Sequence, residues 1–210
     1  MRAIAVFVEG GGDSRIGKRT LREGMSRFLG EVVSRARSLR THWHLEVYGP
    51  RTAAMKAFRT AVRDADSHCF LLVDSEGSVS GTPREHLRRR DGRAAPTGDD
   101  NQYHLMVRIM ESWFLADPDA LKKYYGQGFA ESALPRRDNV EEVPKNEVES
   151  ALAEATRNTK KGEHRKIRHG AELLMRVNPA IVRGRAEHCD RFFLALLDTL
   201  ETQASAPEAM

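Results

Sequence analysis

Two short apolar runs, each closed by an acid, constrain this chain more than any other feature. Ala3 to Val8 reads Ala-Ile-Ala-Val-Phe-Val and meets Glu9-Gly10-Gly11-Gly12-Asp13-Ser14. His68 to Val73 reads His-Cys-Phe-Leu-Leu-Val and meets Asp74-Ser75-Glu76-Gly77. Short runs that are apolar at nearly every position and bounded by turn residues have the pattern of strands buried on both faces. Between them, Ile16, Leu21, Met25, Phe28, Leu29, Val32, Val33 and Ala36 trace one helical face from Ile16 to about Arg40, with Gly24 and Gly30 as weak points. Trp43 to Tyr48 alternates like a strand, Gly49-Pro50 ends it, and Thr52 to Asp64 reads as a helix. Strand–helix–strand–helix–strand implies a parallel sheet covered by helices. Glu9, Asp74 and Glu76 then lie beyond the carboxyl ends of parallel strands, the edge where open α/β sheets place ligands.

Downstream, Pro83 to Asp100 holds Pro, Gly and a dense arginine run, and reads as an exposed irregular loop. A further strand is expected over Asn101 to Val107, with a helix over Met110 to Ala116 and another from Asp117 through Tyr125. Gly126 to Pro144 reads as loop. Helices are expected at Glu147–Thr156, Ala171–Val177 and His188–Glu201, with Thr202 to Met210 frayed. The expected architecture is an α/β core over residues 1–115 and a mostly helical extension, 116–210, packed on it.

Composition narrows the function classes. With 40% hydrophobic residues in 210 the chain has enough apolar content for a core, so wholesale disorder is excluded. The net charge of +4 permits a nucleic-acid partner without demanding one. Cys69 and Cys189 alone make neither a disulfide framework nor a zinc site, which fits a reducing compartment. No apolar run approaches the roughly 20 residues of a membrane span. Met1 to Val8 leads straight into the acidic turn, so it reads as a first strand and not as a signal peptide. A cytoplasmic location is expected.

The chemistry-bearing residues begin with Glu9, Asp74 and Glu76. Acids two apart in extended chain point to the same side, so Asp74 and Glu76 can converge with Glu9 on one divalent cation. Hard cations such as Mg²⁺ take oxygen ligands of this kind together with water. The glycines after Glu9 let a phosphate approach backbone N–H groups. Gly10 to Lys18 is no phosphate loop of the nucleotide-hydrolase type, because Arg19 stands where its hydroxyl residue belongs. No serine elbow and no cysteine-nucleophile motif is present.

Val8-Glu9-Gly10-x-x-Asp13 followed by Val73-Asp74-Ser75-Glu76 resembles the Toprim (topoisomerase–primase) domain, a small parallel α/β sheet with a Glu after its first strand and an Asp-x-Asp after its third. The whole chain resembles a family of small bacterial proteins, domain-of-unknown-function family 4276. The resemblance rests on the features already quoted and on Met106-Val107-x-x-Met110-Glu111-x-Trp113-x-Leu115-Ala116-Asp117, Lys166-x-x-His169-Gly170-Ala171-Glu172 and Cys189-x-x-Phe192. It implies that Glu9 is a metal ligand or general acid/base, that Asp74 is the first metal-binding acid, and that Glu76 replaces the second Asp with a longer carboxylate. Asp13 falls where nuclease-type Toprim domains place an additional acid. Glu111 resembles the Glu of Met-Glu-x-Trp stretches in nuclease-like relatives; it either serves a metal or orients a basic residue, or is only a favourable charge at a helix start. Trp113 reads as core.

Two basic segments complete the pattern. Arg157 to His169 carries Lys161, Arg165, Lys166 and Arg168, and the run at 84–93 carries Arg84, Arg88, Arg89, Arg90 and Arg93. Lys166 and Lys161 are expected to contact phosphate near the metal as fixed charges. Arg84, Arg88, Arg89, Arg165 and Arg168 are expected along the nucleic-acid backbone, with a solvated face as the alternative for the first run. His164 and His169 flank Lys166, but a zinc site is disfavoured beside hard acids and without Cys. The expectation is a Mg²⁺- or Mn²⁺-dependent nuclease or phosphoryl-transfer protein acting on DNA or RNA. The resemblance adds an anti-phage setting with an AAA- or ABC-type ATPase partner, and a homodimer is a further expected partner state. The rival expectation is a non-catalytic subunit that binds nucleic acid or the ATPase through the same scaffold.

Overall fold

A computed structural model describes residues 3–63, 67–92 and 99–205. Four strands, β1 (Ala3–Glu9), β2 (His42–Tyr48), β3 (Ser67–Asp74) and β4 (Tyr103–Met106), pair in parallel in the order β2-β1-β3-β4. Alternation along β1 shows why its run is apolar throughout. Ile4, Val6 and Val8 face one core while Ala5 and Phe7 face the other.

Helices cover both sides. On the Phe7 side lie α3 (Arg51–Ala61) and α4 (Pro83–Asp91), which bury Met55, Phe58 and Leu87 against Leu71, Val73 and Tyr103. On the Val6 side lie α1 (Arg15–Phe28) and α2 (Gly30–Ser38). The remaining helices are α5 (Pro118–Tyr125), α6 (Lys145–Thr156), α7 (Lys166–Leu174), α8 (Pro179–Arg185) and α9 (Glu187–Ser205). One hydrophobic cluster joins Met25 and Phe28 to Trp113, Phe192 and Phe193, so it runs from α1 through to α9. The chain leaves β1 for β2 on one side and returns across it to β3 on the other. The carboxyl ends of β1 and β3 therefore flank the point where strand order reverses, which is where an open sheet leaves a crevice. Glu9 and Asp74 are the last residues of those two strands.

Several elements differ from the sequence expectation for identifiable reasons. The expected helix from Ile16 pauses at Leu29, whose N–H bonds back to Met25, while Gly24 stays helical. Residues 83–91, expected as loop, form α4, started by a capping box between Thr82 and Glu85 with Pro83 at the first position. Met110–Ala116 is a fully buried 3-10 helix and not an α-helix. α7 begins at Lys166, five residues before the expected Ala171, and α8, capped by Asn178 ahead of Pro179, lies in a stretch left unassigned. α9 continues helically through Ser205, where fraying was expected from Thr202. Among the described residues no helix is long and apolar enough to cross a membrane.

α9 is tied to the sheet through Arg191, whose guanidinium donates to the carbonyls of Tyr103 (2.8 Å) and Asp100 (2.9 Å) and lies 3.1 Å from Nδ1 of buried His104. Nδ1 therefore accepts, and the Nε2–H donates to the Asn101 carbonyl at 2.8 Å. Burial first and the Arg191 charge second push the His104 pKa down to about 3, and His164 is likewise down to about 4 by burial. Both imidazoles are thus neutral in the fold but take up protons near 6.5 once unfolded, so stability falls as pH drops from about 6.5 toward these lower values. We expect the melting temperature to hold above pH 7 and decline below 6.5. His104→Gln, which cannot titrate, should show a shallower acid decline when both chains are melted across pH 4 to 8 by circular dichroism.

Candidate metal centre

Glu9, Asp74 and Glu76 each bring a carboxylate oxygen within 4.8 Å of the other two. Neighbouring ligands of an octahedral Mg²⁺ with bonds of roughly 2.1 Å stand about 3.0 Å apart and opposite ones about 4.2 Å, so side-chain adjustment on the order of 1–2 Å would bring the three acids onto one ion. The three differ in exposure. The side chain of Asp74 is 5% exposed, that of Glu9 16% and that of Glu76 30%. A fourth carboxylate, Glu111, stands beside Asp74 and is 3% exposed, and its Oε1 meets no donor. Burial, and then the charge of Asp74, raise the pKa of Glu9 above the usual carboxylate range. Burial likewise raises Glu111. Carboxylates crowded in this way repel one another unless a cation joins them, and an all-oxygen donor set is the chemistry that hard divalent ions select.

Within the protein, cations from three helices meet these acids. Arg51 Nε lies 3.2 Å from Glu9 Oε2 and Arg51 Nη1 3.4 Å from Asp91. Lys145 Nζ lies 2.5 Å from Glu76, and Lys166 Nζ lies 2.8 Å from Asp74 Oδ2 and 3.4 Å from Glu111. Partial burial alone would raise Glu76, but Lys145, with Arg90 and Lys166 behind it, outweighs this and holds it below the usual range. Burial disfavours the Lys166 ammonium, yet Asp74 and Glu111 overcome it and raise its pKa. Arg51, Lys145 and Lys166 are each the first residue of a helix, α3, α6 and α7. That is the wrong end for a cation, because helix N-termini carry partial positive charge. Neither α3 nor α7 has an acid in its first turn. Positive helix ends and positive side chains therefore converge on one acidic cluster.

The backbone around the acids is locked. Glu9 Oε2 accepts the Asp74 N–H at 3.2 Å, and Asp74 Oδ1 accepts the Met110 N–H at 2.9 Å. Buried Ser75 donates to the Gly77 carbonyl (2.6 Å) while its oxygen accepts the Arg108 N–H (2.7 Å). Glu76 and Arg108 both adopt φ of +63°, and the Glu76 N–H bonds to the Arg108 carbonyl at 2.7 Å. Left-handed conformations cost non-glycine residues on the order of 1–3 kcal/mol each and persist where their surroundings over-determine them. Here they aim Glu76 inward. Lys166 is placed by two devices. Gly24 lets α7 cross α1 closely, since a Cβ there would stand 2.6 Å from the Ala171 carbonyl oxygen. Buried His169 accepts the Arg165 N–H on Nδ1 at 3.0 Å, closing the turn just before Lys166.

Of the residues singled out from sequence, Glu9, Asp74, Glu76, Glu111 and Lys166 meet at one place. Asp13 does not. It is exposed, because the glycine loop, with positive φ at Gly10, Gly11 and Gly12, carries it away to lie beside Gly49. Lys161 is also elsewhere, 4.7 Å above the Tyr124 ring. Arg165 and Arg168 are exposed around the start of α7. On α4, Arg84 lies 3.8 Å from Asp100, Arg88 is exposed, and Arg89 bonds to Ser80; Arg93 lies outside the described residues. Arg90 donates to the Ser75 carbonyl at 2.9 Å, which places α4 against the acidic turn. His164 and His169 form no metal group with a third ligand among the described residues; His164 Nδ1 pairs with the Tyr125 hydroxyl at 2.8 Å. Sequence reasoning missed Arg51 and Lys145. Arg51 had a signal, since it opens the helix after β2 at the same sheet edge. Lys145 had none, because only tertiary folding brings it to Glu76.

A family model described as "Domain of unknown function (DUF4276)" matches residues 8–197. No curated protein and no solved structure matches the chain.

Calorimetric titration with Mn²⁺ tests the centre. Wild type should bind, and Glu9→Ala and Asp74→Ala should each weaken binding by about tenfold or more, in the range set by loss of metal-site contacts. Lys145→Met removes the cation that competes for Glu76 and should tighten binding. Affinity should also fall as pH drops into the raised range of Glu9, because the ion must then displace a proton.

Proposed function

The chain belongs to the DUF4276 family, and from the centre it carries we propose a Mg²⁺- or Mn²⁺-dependent nuclease or related phosphoryl-transfer protein acting on DNA or RNA. One observation carries this reading: acids from the ends of two neighbouring strands meet at the sheet's reversal point inside a ring of helix-start cations. The acids suit a divalent ion, and the ring suits a phosphate.

Glu9, Asp74 and Glu76 would hold the ion, which when bound supplies Lewis-acid polarisation of a phosphoryl oxygen. The remaining roles fall to the chain itself. Asp74 is fixed by the Met110 N–H and so offers its second oxygen in a constant orientation. Both protein contacts of Glu9 fall on Oε2, which leaves Oε1 without a protein partner. Lys166 remains charged between Asp74 and Glu111 and turns toward the negative charge that builds on a phosphoryl oxygen in the transition state. Glu111 is a positioning residue that holds Lys166 from behind. By resemblance to Toprim effectors paired with ATPases, an AAA- or ABC-type ATPase is the partner proposed for switching the protein on.

A second reading has its own support. Each ligand acid already has a protein cation within 3.2 Å, so the cluster is partly neutralised without an ion. A non-catalytic subunit could use it as a structural ion-pair network. Cleavage of supercoiled plasmid, single-stranded DNA and total tRNA separates the two. We expect wild type to cut at least one of them in Mg²⁺ or Mn²⁺, EDTA to stop it, and Glu9→Ala and Asp74→Ala to lower the rate by about 10² or more. Cutting that survives both substitutions would overturn the assignment, and Mn²⁺ binding absent from wild type would favour the structural network.

A further inference from the structure

The apolar stripe of α1 faces the core, and the flank beside β2 carries a stripe of another kind. Arg15, Lys18, Arg19 and Arg22 fall at i, i+3, i+4 and i+7 on one face of the helix. With Ser14 and the β2 residues Glu46, Val47 and Tyr48, this face lines an open groove of about 930 Å³. Arg19 and Arg22 reach Glu23 and Glu46 only at 3.6 and 3.9 Å, as exposed pairs of little strength. Arg15 and Lys18 make no ion pair among the described residues. The groove therefore keeps a net positive lining with one acid, Glu46, in it.

Its position relative to the acids gives the groove meaning. Tyr48 is the β2 register partner of Glu9, and the Gly10 N–H donates to its carbonyl at 2.7 Å. One wall of the groove thus ends a single strand away from the metal centre, across the glycine loop. Two of the large apolar side chains exposed on this molecule sit at that junction. Ile16, 73% exposed, lines the groove, and Ile167, 58% exposed, lies against Gly12 and lines the pocket over Glu9 and Asp74.

We infer that this α1 groove is a nucleic-acid track that leads the sugar–phosphate backbone past Tyr48 into the metal centre. The four cations span about 10 Å of helix, since each residue rises about 1.5 Å, and that length covers about three phosphates of a duplex strand at about 3.4 Å each. A groove open along its length suits a polymer that runs through it better than a small ligand that must be enclosed. The exposed isoleucines at the junction give bases or sugars an apolar contact, as apolar side chains do in other nucleic-acid interfaces. The choice of nucleic acid over another polyanion rests on the nuclease reading, but the binding does not require cleavage.

The test is fluorescence anisotropy in EDTA with the full chain and a labelled oligonucleotide of about thirty residues, single-stranded and as duplex, over a salt series. Wild type should bind. Arg15→Ala/Lys18→Ala should weaken binding by about tenfold or more and lower the salt slope by about 1.8 on duplex or 1.4 on single strand, the loss of two phosphate contacts. Arg136→Ala/Arg137→Ala makes the same charge change on exposed residues that do not line the groove, and should bind like wild type. Thermal melts of both variants confirm folding. No binding by wild type, equal weakening by both pairs, or unchanged binding by the α1 pair would overturn the track. A wild-type chain that binds through α1 but cuts none of the substrates keeps the track and loses the nuclease reading.

Discussion

Burying Glu9, Asp74 and Glu111 side by side is the constraint from which much of this structure follows. Taking a carboxylate out of water is expensive, and placing several together adds mutual repulsion. Four acids face three directly paired cations, and Arg51 is shared with Asp91 as well. A hydrophobic replacement of such a cluster would commonly be no less stable. The arrangement is therefore hard to explain as a folding device. It makes sense if the acids await a charge that the chain itself does not supply.

The same logic accounts for the placement of the cations. A basic first residue opposes the helix dipole, and α3, α6 and α7 each begin with one. At an ordinary surface helix an acid would sit there at no cost. Here the unfavourable end effect is offset because each cation meets a carboxylate of the cluster. The positive φ at Glu76 and Arg108 belongs to the same pattern of local cost accepted for direction. The Ser75 hydroxyl bridges the Gly77 carbonyl and the Arg108 N–H, and the Arg108 carbonyl accepts the Glu76 N–H, so the turn after β3 keeps one shape.

What could be read from sequence followed the range of the forces involved. β1 and β3 were legible because burial on both faces leaves a continuous apolar run, and their terminal acids followed from parallel topology alone. Glu111 stood out as an acid in an otherwise apolar segment, but a favourable charge at a helix start accounted for it equally well. α4 had a legible signal in Thr82-Pro83-x-Glu85, but the arginine run that follows it reads as loop, and composition prevailed over capping. Asp13 went the other way: the Toprim resemblance put an additional acid there, whereas three glycines with positive φ turn the chain aside. Lys145 was beyond reach, because its meeting with Glu76 depends on how the long irregular stretch before α6 returns to the sheet.

That return gives the helical half its significance. The ends of β1 and β3 and the turn after β3 supply Glu9, Asp74 and Glu76, while Lys145 and Lys166 come from helices that begin far downstream. Lys166 reaches Asp74 because Gly24 admits α7 against α1 and His169 fixes the turn that precedes it. Had α7 packed one residue's rotation away, about 100° around its axis, the Lys166 side chain would point away from Asp74. The packing of a glycine in α1 against a backbone carbonyl in α7 thus sets an electrostatic contact at the opposite end of the helix. The C-terminal helices are the part of the chain that closes the charge balance of the sheet edge, and the acids and their cations form one site only because the two halves share a hydrophobic core.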